Sequence, residues 1–113
     1  MTRPVQVAFR NMAASPELEQ EARARAAWLE TFYAGIVGCR VLIEIPHRHQ
    51  TKGRSVHVRV ELSLPGEDVV VTHDRVHSDA VVAIHEAFDL ARRRVEDYSC
   101  RQRGDVKAHR TAS

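Results

Sequence analysis

The sequence has few of the features that mark membrane and secreted proteins. Its two cysteines, Cys39 and Cys100, lie far apart and have no partner at the spacing of a metal site or a redox motif. No apolar run approaches the roughly 20 residues that a membrane-spanning helix needs, and no signal-peptide core is present. We therefore expect a cytoplasmic chain with reduced thiols, no disulfide framework and no membrane contact.

Catalytic motifs are also missing. The five glycines do not form a phosphate-binding loop, and no serine stands in a G-x-S-x-G sequence. The adjacent acids Glu96 and Asp97 point in different directions on a helix, so pairing with Arg92 or Arg93 within that helix is the simpler interpretation. We therefore expect a protein that is not an enzyme and has no cofactor.

Excess positive charge is small and local. The net charge is +2, but residues 46–59 carry four cations and no acid, and residues 92–110 carry seven cations against three acids. Each segment therefore has a net charge of about +4 at neutral pH, counting histidine as neutral. Such patches can contact phosphates, and a solvated face with no partner is the alternative.

Seven histidines raise the question of a metal site. His47 and His49 form an H-x-H pair, and His57 follows on the next predicted strand. A metal site needs three or four ligands with a supporting shell, and no cysteine or acid lies nearby. We therefore expect no metal and interpret these histidines as part of a basic loop facing RNA or solvent. A nickel or zinc site is the alternative.

Two helices are predicted. The segment 15–17, Ser-Pro-Glu, begins the first one with an N-cap, a proline at the first helical position and an acid near the positive end of the helix dipole. Gly35 and Gly38 are expected to end this helix. Ser78 or Asp79 is expected to cap the second.

Four strands are predicted from alternating apolar residues, at Val5–Phe9, Arg40–Ile45, Val56–Ser63 and Val69–Thr72. Leu64–Glu67 reads as a type II turn, because proline stands at its second position and glycine at its third. The last two strands therefore form a hairpin.

The order β-α-β-β-β-α predicts an α+β fold. We expect a two-layer sandwich in which a four-stranded, mostly antiparallel sheet carries both helices on one face. One domain is predicted over residues 1–104. Residues 105–113 lose the helical periodicity and are predicted to form a disordered tail.

The last helix is the most informative element. Apolar residues recur along it at spacings of three and four, which predicts one stripe facing the core. These residues are Val81, Ile84, Phe88, Ala91, Val95 and Tyr98. The other faces carry Arg92, Arg93 and Arg94, which favours a nucleic-acid partner.

Aromatic residues are few, and most are assigned to the core. Phe32, Tyr33, Phe88 and Tyr98 form this group. Trp28 lies off the apolar stripe of the first helix, so we interpret it as packing at the edge of the core, with base stacking as the alternative. Because the sequence lacks an aromatic strand motif for single-stranded RNA, it favours recognition of folded RNA by shape and backbone.

Several segments also occur in a familiar order. They are Ser15-Pro16-Glu17-Leu18, Leu29-Glu30 before Phe32-Tyr33, the valine-rich hairpin, and 79–84 leading to Phe88-Asp89. Together they resemble the hibernation-promoting factor family, which includes the ribosome-associated inhibitor A proteins. The resemblance extends from about Val5 to Lys107 and depends on order and spacing rather than on a catalytic signature.

The resemblance implies binding to the small ribosomal subunit between its head and body, over the mRNA path and the A and P sites. Family members block mRNA and tRNA under stress and act as stoichiometric inhibitors. They contact 16S rRNA through basic residues on both helices. Arg25, Arg93 and Arg101 stand at positions where the family has such cations.

The predicted RNA-binding set combines the two helices with the loop after the second strand. Where the family often has lysine, this sequence has Trp28, Leu90, Asp97 and Ser99. The helical charge is therefore thinner than usual, and we hypothesise that loop cations compensate. The predicted RNA-binding residues are Arg25, Arg92, Arg93, Arg94, Arg101, Arg103, Arg48, Lys52 and Arg54.

The predicted function is a ribosome-binding translation inhibitor that acts as a monomer in the cytoplasm. It would dock on small-subunit rRNA and block the mRNA and tRNA sites under stress. The alternative is a non-ribosomal module that binds protein or modulates transcription.

Overall fold

Four strands and two helices follow one another in the predicted order. The computed structural model describes residues 1–45, 56–73 and 79–112, and for residues 103–112 it describes the backbone alone. The elements are β1 (Gln6–Arg10), α1 (Pro16–Glu30), β2 (Gly38–Glu44), β3 (His57–Leu64), β4 (Glu67–His73) and α2 (Ala80–Ala112). The strands differ from their predicted bounds by one or two residues at each end.

The strands form one sheet in the order β1-β2-β3-β4. β1 runs parallel to β2, because α1 carries the chain back across the sheet between them. β3 pairs antiparallel with both β2 and β4. The sheet is therefore mostly antiparallel, and the predicted fold class is confirmed.

Alternation along the strands gives the sheet two different faces. Val41 and Ile43 of β2 and Val58 of β3 are completely buried under the helices. The side chains between them, such as Arg40 and Arg59, are exposed on the opposite face. Both helices thus cover one face and leave the other open, as predicted.

The start of α1 is as predicted, but its end is not. The Ser15 hydroxyl accepts a hydrogen bond from the Leu18 amide at 3.2 Å, which makes it the N-cap. The helix ends at Glu30, where the Thr31 hydroxyl donates to the Trp28 carbonyl at 2.6 Å. This helix end lies several residues before the glycines that the sequence suggested.

The early end of α1 changes the place of one aromatic residue. Phe32 follows the helix and is 49 % exposed, so its assignment to the core is wrong. Tyr33 and Ile36 do pack on the core, and Trp28 packs at its edge. The helical stripe therefore did not continue to Phe32, because α1 ends at Glu30 and the next two amides bond carbonyls only three residues back, in a tighter turn.

The hairpin turn and the start of α2 agree with the sequence. Gly66 has a positive φ of 80°, as the third position of a type II turn requires. The buried Tyr98 donates its hydroxyl hydrogen to the Pro65 carbonyl at 2.6 Å, which ties this turn to α2. The Asp79 carboxylate accepts from the Val81 amide at 3.0 Å and caps α2.

The predicted stripe of α2 faces the core. Phe88, Ala91, Val95 and Tyr98 are buried, and Val81 is half-buried. The backbone remains helical to Ala112, over most of the segment 105–113 that the sequence predicts as a tail. Glycine costs a helix only about 1 kcal/mol relative to alanine, so one glycine at position 104 does not end it. The domain boundary at residue 104 stays a prediction.

Candidate nucleic-acid interface

The two helices lie side by side and run in the same direction. Glu21 of α1 contacts His85 of α2 through its carboxylate. One turn further along, Arg25 meets Asp89, with 3.7 Å between Nη2 and Oδ1. These two contacts align the helices, so that cations of both lie on the same side of the molecule.

Arg25 is largely covered rather than presented to solvent. Its side chain is only 18 % exposed, and its guanidinium carbon lies 3.9 Å from the centre of the Trp28 ring. Its Nε is buried and has no hydrogen-bond acceptor among the described residues. Arg25 is therefore placed to hold Trp28 and Asp89, and its predicted role as an RNA contact would require it to rearrange.

Arg92 lies at the junction of the two helices. It donates a hydrogen bond to Glu96 one turn later at 2.7 Å, which confirms the predicted pairing within the helix. Its guanidinium carbon also lies 5.4 Å from the centre of the Phe32 ring. The positive charge of Arg92 is thus partly compensated, although one third of the side chain remains exposed.

Among the predicted arginines whose side chains the structure describes, Arg93 and Arg94 are exposed and form no ion pair with another described residue. Neither makes an ion pair or a side-chain hydrogen bond with another residue in the described parts of the chain. Neighbouring helical residues point about 100° apart, so Arg92 faces α1 while Arg94 faces the β3–β4 turn. Arg93 points outward between them. These two arginines can bind phosphates without first breaking an internal ion pair.

Arg101 is joined to the hairpin turn. Its Nη2 donates to the Glu67 carboxylate at 3.0 Å, and the side chain is 60 % exposed. Arg94 and Asp97 line the same shallow recess as this pair. Arg101 can therefore contribute to a phosphate contact, but an acid already shares its charge.

The structure does not describe the side chains of the other four predicted RNA-binding residues. Only the backbone of Arg103 is described, on α2. Arg48, Lys52 and Arg54 lie outside the described residues, and so do His47 and His49. The structure thus brings Arg25 and Arg92 together at the helix junction and separates them from Arg94 and Arg101.

The open face of the sheet carries further arginines that the sequence analysis did not select. Arg40 and Arg59 both contact the Glu61 carboxylate, at 3.3 and 2.8 Å, and Arg10 lies 3.9 Å from Glu44. Strand register places Arg40 directly opposite Glu61. Opposite charges therefore alternate across this face, whereas Arg93 and Arg94 form no ion pair with any described residue.

Other kinds of site find little support in the described residues. No group of three or more histidine, cysteine or acidic side chains there could hold a metal ion. None of the described helices is long and apolar enough to cross a membrane. His73 is buried and pairs with Glu86 at 2.7 Å, which joins β4 to α2.

The sequence as a whole matches a known family. A sequence model described as "Sigma 54 modulation protein / S30EA ribosomal protein" matches residues 5–103, which include every described strand and most of α2. The chain belongs to this family. The S30EA family is one of ribosome-associated modulation proteins, which agrees with the family resemblance noted from the sequence.

Solved structures share the fold of this S30EA family member. A ribosomal subunit interface protein from Coxiella burnetii superimposes with a TM-score of 0.72 at 12 % identity, covering 85 % of this chain and 97 % of the other. The N-terminal domain of Protein Y from Thermus thermophilus gives a TM-score of 0.67 at 18 % identity, covering 82 % and 94 %. A search of curated protein sequences gave no significant match.

Sequence reasoning missed two features of the interface. It placed Phe32 in the core, although the ring lies exposed beside Arg92. It also assigned Arg25 to the RNA-binding set without predicting that Asp89 and Trp28 cover the side chain. The positions of Arg25 and Asp89 in the sequence do not predict this contact, because it depends on how the two helices align.

Proposed function

We propose that this protein binds the small ribosomal subunit through its rRNA and blocks the mRNA and tRNA sites, keeping idle ribosomes inactive under stress. Membership of the S30EA family is the observation that carries this proposal. The superimposed subunit interface protein from Coxiella burnetii supports it at the level of the fold. Such a protein would act in the cytoplasm, as a monomer.

The distribution of arginines supports RNA as the contacted surface. Between Arg92 and Arg103 the sequence has five arginines and two acids. Arg93 and Arg94 are exposed without acidic partners among the described residues, whereas the open sheet face pairs Arg40 and Arg59 with Glu61. Unpaired cations on one side of a domain release counterions when they meet phosphates, and this release provides affinity. We therefore assign the docking face to the helix side of the molecule.

The experiment is co-sedimentation of the purified protein with isolated small and large ribosomal subunits through sucrose gradients, at several salt concentrations. We expect retention on small subunits that weakens as salt rises. The same protein should inhibit translation in a cell-free system when it is stoichiometric with ribosomes, and preloading ribosomes with mRNA and tRNA should reduce that inhibition. Binding to neither subunit would contradict the proposal.

A second function follows from the other half of the family description, which names sigma 54 modulation. A transcription modulator would bind a protein partner rather than rRNA. Binding to purified sigma factor or RNA polymerase, without retention on small subunits, would favour this alternative. Retention on small subunits with no transcriptional effect would exclude it.

A further inference from the structure

Two aromatic rings near the end of α1 form a cluster with two arginines, and within it Phe32 is exposed to solvent. We propose that Phe32 and Trp28, held by Arg25 and Arg92, form a stacking site for an unpaired nucleobase of the bound RNA. This inference rests on the proposed function and adds a contact that is not electrostatic. We call these four residues the aromatic–arginine cluster.

The exposure of Phe32 is the first argument. It is the most exposed large apolar side chain in the described parts of the chain, at 49 %. Phe88 and Tyr98, by contrast, are almost completely buried. Burying a phenylalanine is normally favourable, and aromatic residues are enriched at binding surfaces, so a ring kept at the surface is a candidate contact for a partner.

The geometry of the rings is the second argument. Phe32 and Trp28 meet edge to face, with ring centres 5.0 Å apart and planes at 75°. Arg25 covers one side of the Trp28 ring at 3.9 Å, and Arg92 lies 5.4 Å from the Phe32 ring centre. Both rings are therefore fixed in place by neighbours, so stacking a base on them would cost little side-chain entropy.

Charge decides between RNA and an apolar protein partner. Each of the two arginines in the cluster has one acidic partner, Asp89 for Arg25 and Glu96 for Arg92. Arg93 follows immediately and has none among the described residues. An aromatic surface beside a guanidinium that forms no ion pair with the described residues fits a base and its phosphate, because every base has a face for stacking and every nucleotide a negative charge.

The sole tryptophan offers a direct test. Trp28 is the one tryptophan of the sequence, so its fluorescence reports this cluster alone. We expect its emission to be quenched when deproteinised small-subunit rRNA is added to the full chain. Quenching by intact small subunits without quenching by the rRNA would indicate a protein contact and would overturn the proposal.

Substitution at Phe32 separates stacking from charge. We expect Phe32→Ala to weaken binding to small subunits by about 5- to 150-fold at fixed salt, the range for losing one stacked base. Phe32→Tyr should bind like the wild type. The slope of affinity against salt should stay unchanged in both, because no phosphate contact is removed.

Val70→Ala is the matched control, because Val70 is another exposed apolar residue, 39 % exposed on the open sheet face. We expect it to bind like the wild type, and thermal melts should show all three variants folded. Equal affinity of Phe32→Ala and the wild type, together with weaker binding by Arg93→Gln/Arg94→Gln, would overturn the stacking site alone. Failure of the wild type to bind small subunits would overturn the proposed function and this site with it.

Discussion

Neutralising Arg93 and Arg94 should reduce both the affinity for small subunits and its dependence on salt. Both side chains are exposed and lack acidic partners among the described residues, so each is free to meet a phosphate. The double variant Arg93→Gln/Arg94→Gln places a shorter, neutral polar side chain of good helix propensity at each of these exposed positions. It therefore removes two charges with little change in helix packing.

The size of the effect follows from counterion release. Each neutralised phosphate contributes about 0.7 to 0.9 to the slope of log affinity against log salt, so losing two should lower the slope by about 1.4 to 1.8. Between 50 and 200 mM salt, the affinity of the double variant should therefore fall about tenfold less than the affinity of the wild type. Filter binding of purified small subunits at four or five salt concentrations would measure it.

The matched control changes the same charge on the opposite side. Arg40→Gln/Arg59→Gln also removes two positive charges, but both arginines contact Glu61 on the open sheet face. We expect its slope to equal that of the wild type. Equal losses in both double variants would refute the helix-side footprint, because net charge alone would then explain binding. A loss in the sheet-face variant alone would move the footprint to the sheet, and no loss in either would move it to Arg48, Lys52 and Arg54.

Three further predictions concern the fold. Phe88 is completely buried, so Phe88→Ala should lower the free energy of unfolding by about 3 to 5 kcal/mol in denaturant titrations. Val82→Ala, at an exposed position, should change it by no more than about 0.5 kcal/mol. Similar losses for both variants would contradict the burial of Phe88. Burial raises the pKa of the Cys39 thiol to about 12, so this thiol stays protonated at pH 8. Iodoacetamide should therefore label the exposed Cys100 first in the native protein, which peptide mass mapping would show. Early labelling of Cys39 would refute this prediction. Deleting residues 105–113 should change the free energy of unfolding by less than about 0.5 kcal/mol if the domain ends at residue 104, and a larger loss would place the boundary later.

Local patterns in the sequence predicted most of the fold. The N-cap at Ser15, the glycine turn at Gly66 and the apolar stripe of α2 each depend on residues close together in the chain. Alternation along the strands also determines which side chains face the helices. From these elements, the order β-α-β-β-β-α leaves few ways to bury two amphipathic helices, and one sheet face is the simplest.

The end of α1 could not be predicted in the same way. Gly35 and Gly38 are typical stop residues, but the helix ends earlier, where the Thr31 hydroxyl bonds the Trp28 carbonyl. Threonine occurs at many positions in helices and loops, so its presence does not identify a helix end. This small displacement moved Phe32 from the expected core to the surface, and with it one residue of the candidate interface.

The covering of Arg25 was also beyond the sequence, although the pairing of Arg92 with Glu96 was not. Arg25, Arg92 and Arg93 look alike as cations in a helical pattern, yet one is covered, one is paired and one is unpaired among the described residues. The covering of Arg25 depends on the alignment of α1 with α2, which brings Asp89 and Trp28 against it. A local pair such as Arg92 with Glu96 can be read from the sequence, whereas the covering of Arg25 depends on contacts between distant segments.

The placement of the free arginines also limits the shape of the RNA. Arg93 and Arg94 are about 100° apart around α2, so a flat RNA surface would meet one of them squarely and the other at its edge. A groove with phosphates on both walls would engage both. Single variants distinguish these geometries: in a groove, Arg93→Gln and Arg94→Gln should each lower the salt slope by about 0.7 to 0.9, and the double variant by their sum. On a flat surface, one single variant should account for nearly all of the change. We expect the additive result, because the candidate contacts lie on two sides of α2. The Phe32 ring packs beside Arg92 on one side, and Arg101 meets Glu67 on the other. An RNA groove could contact both sides at once.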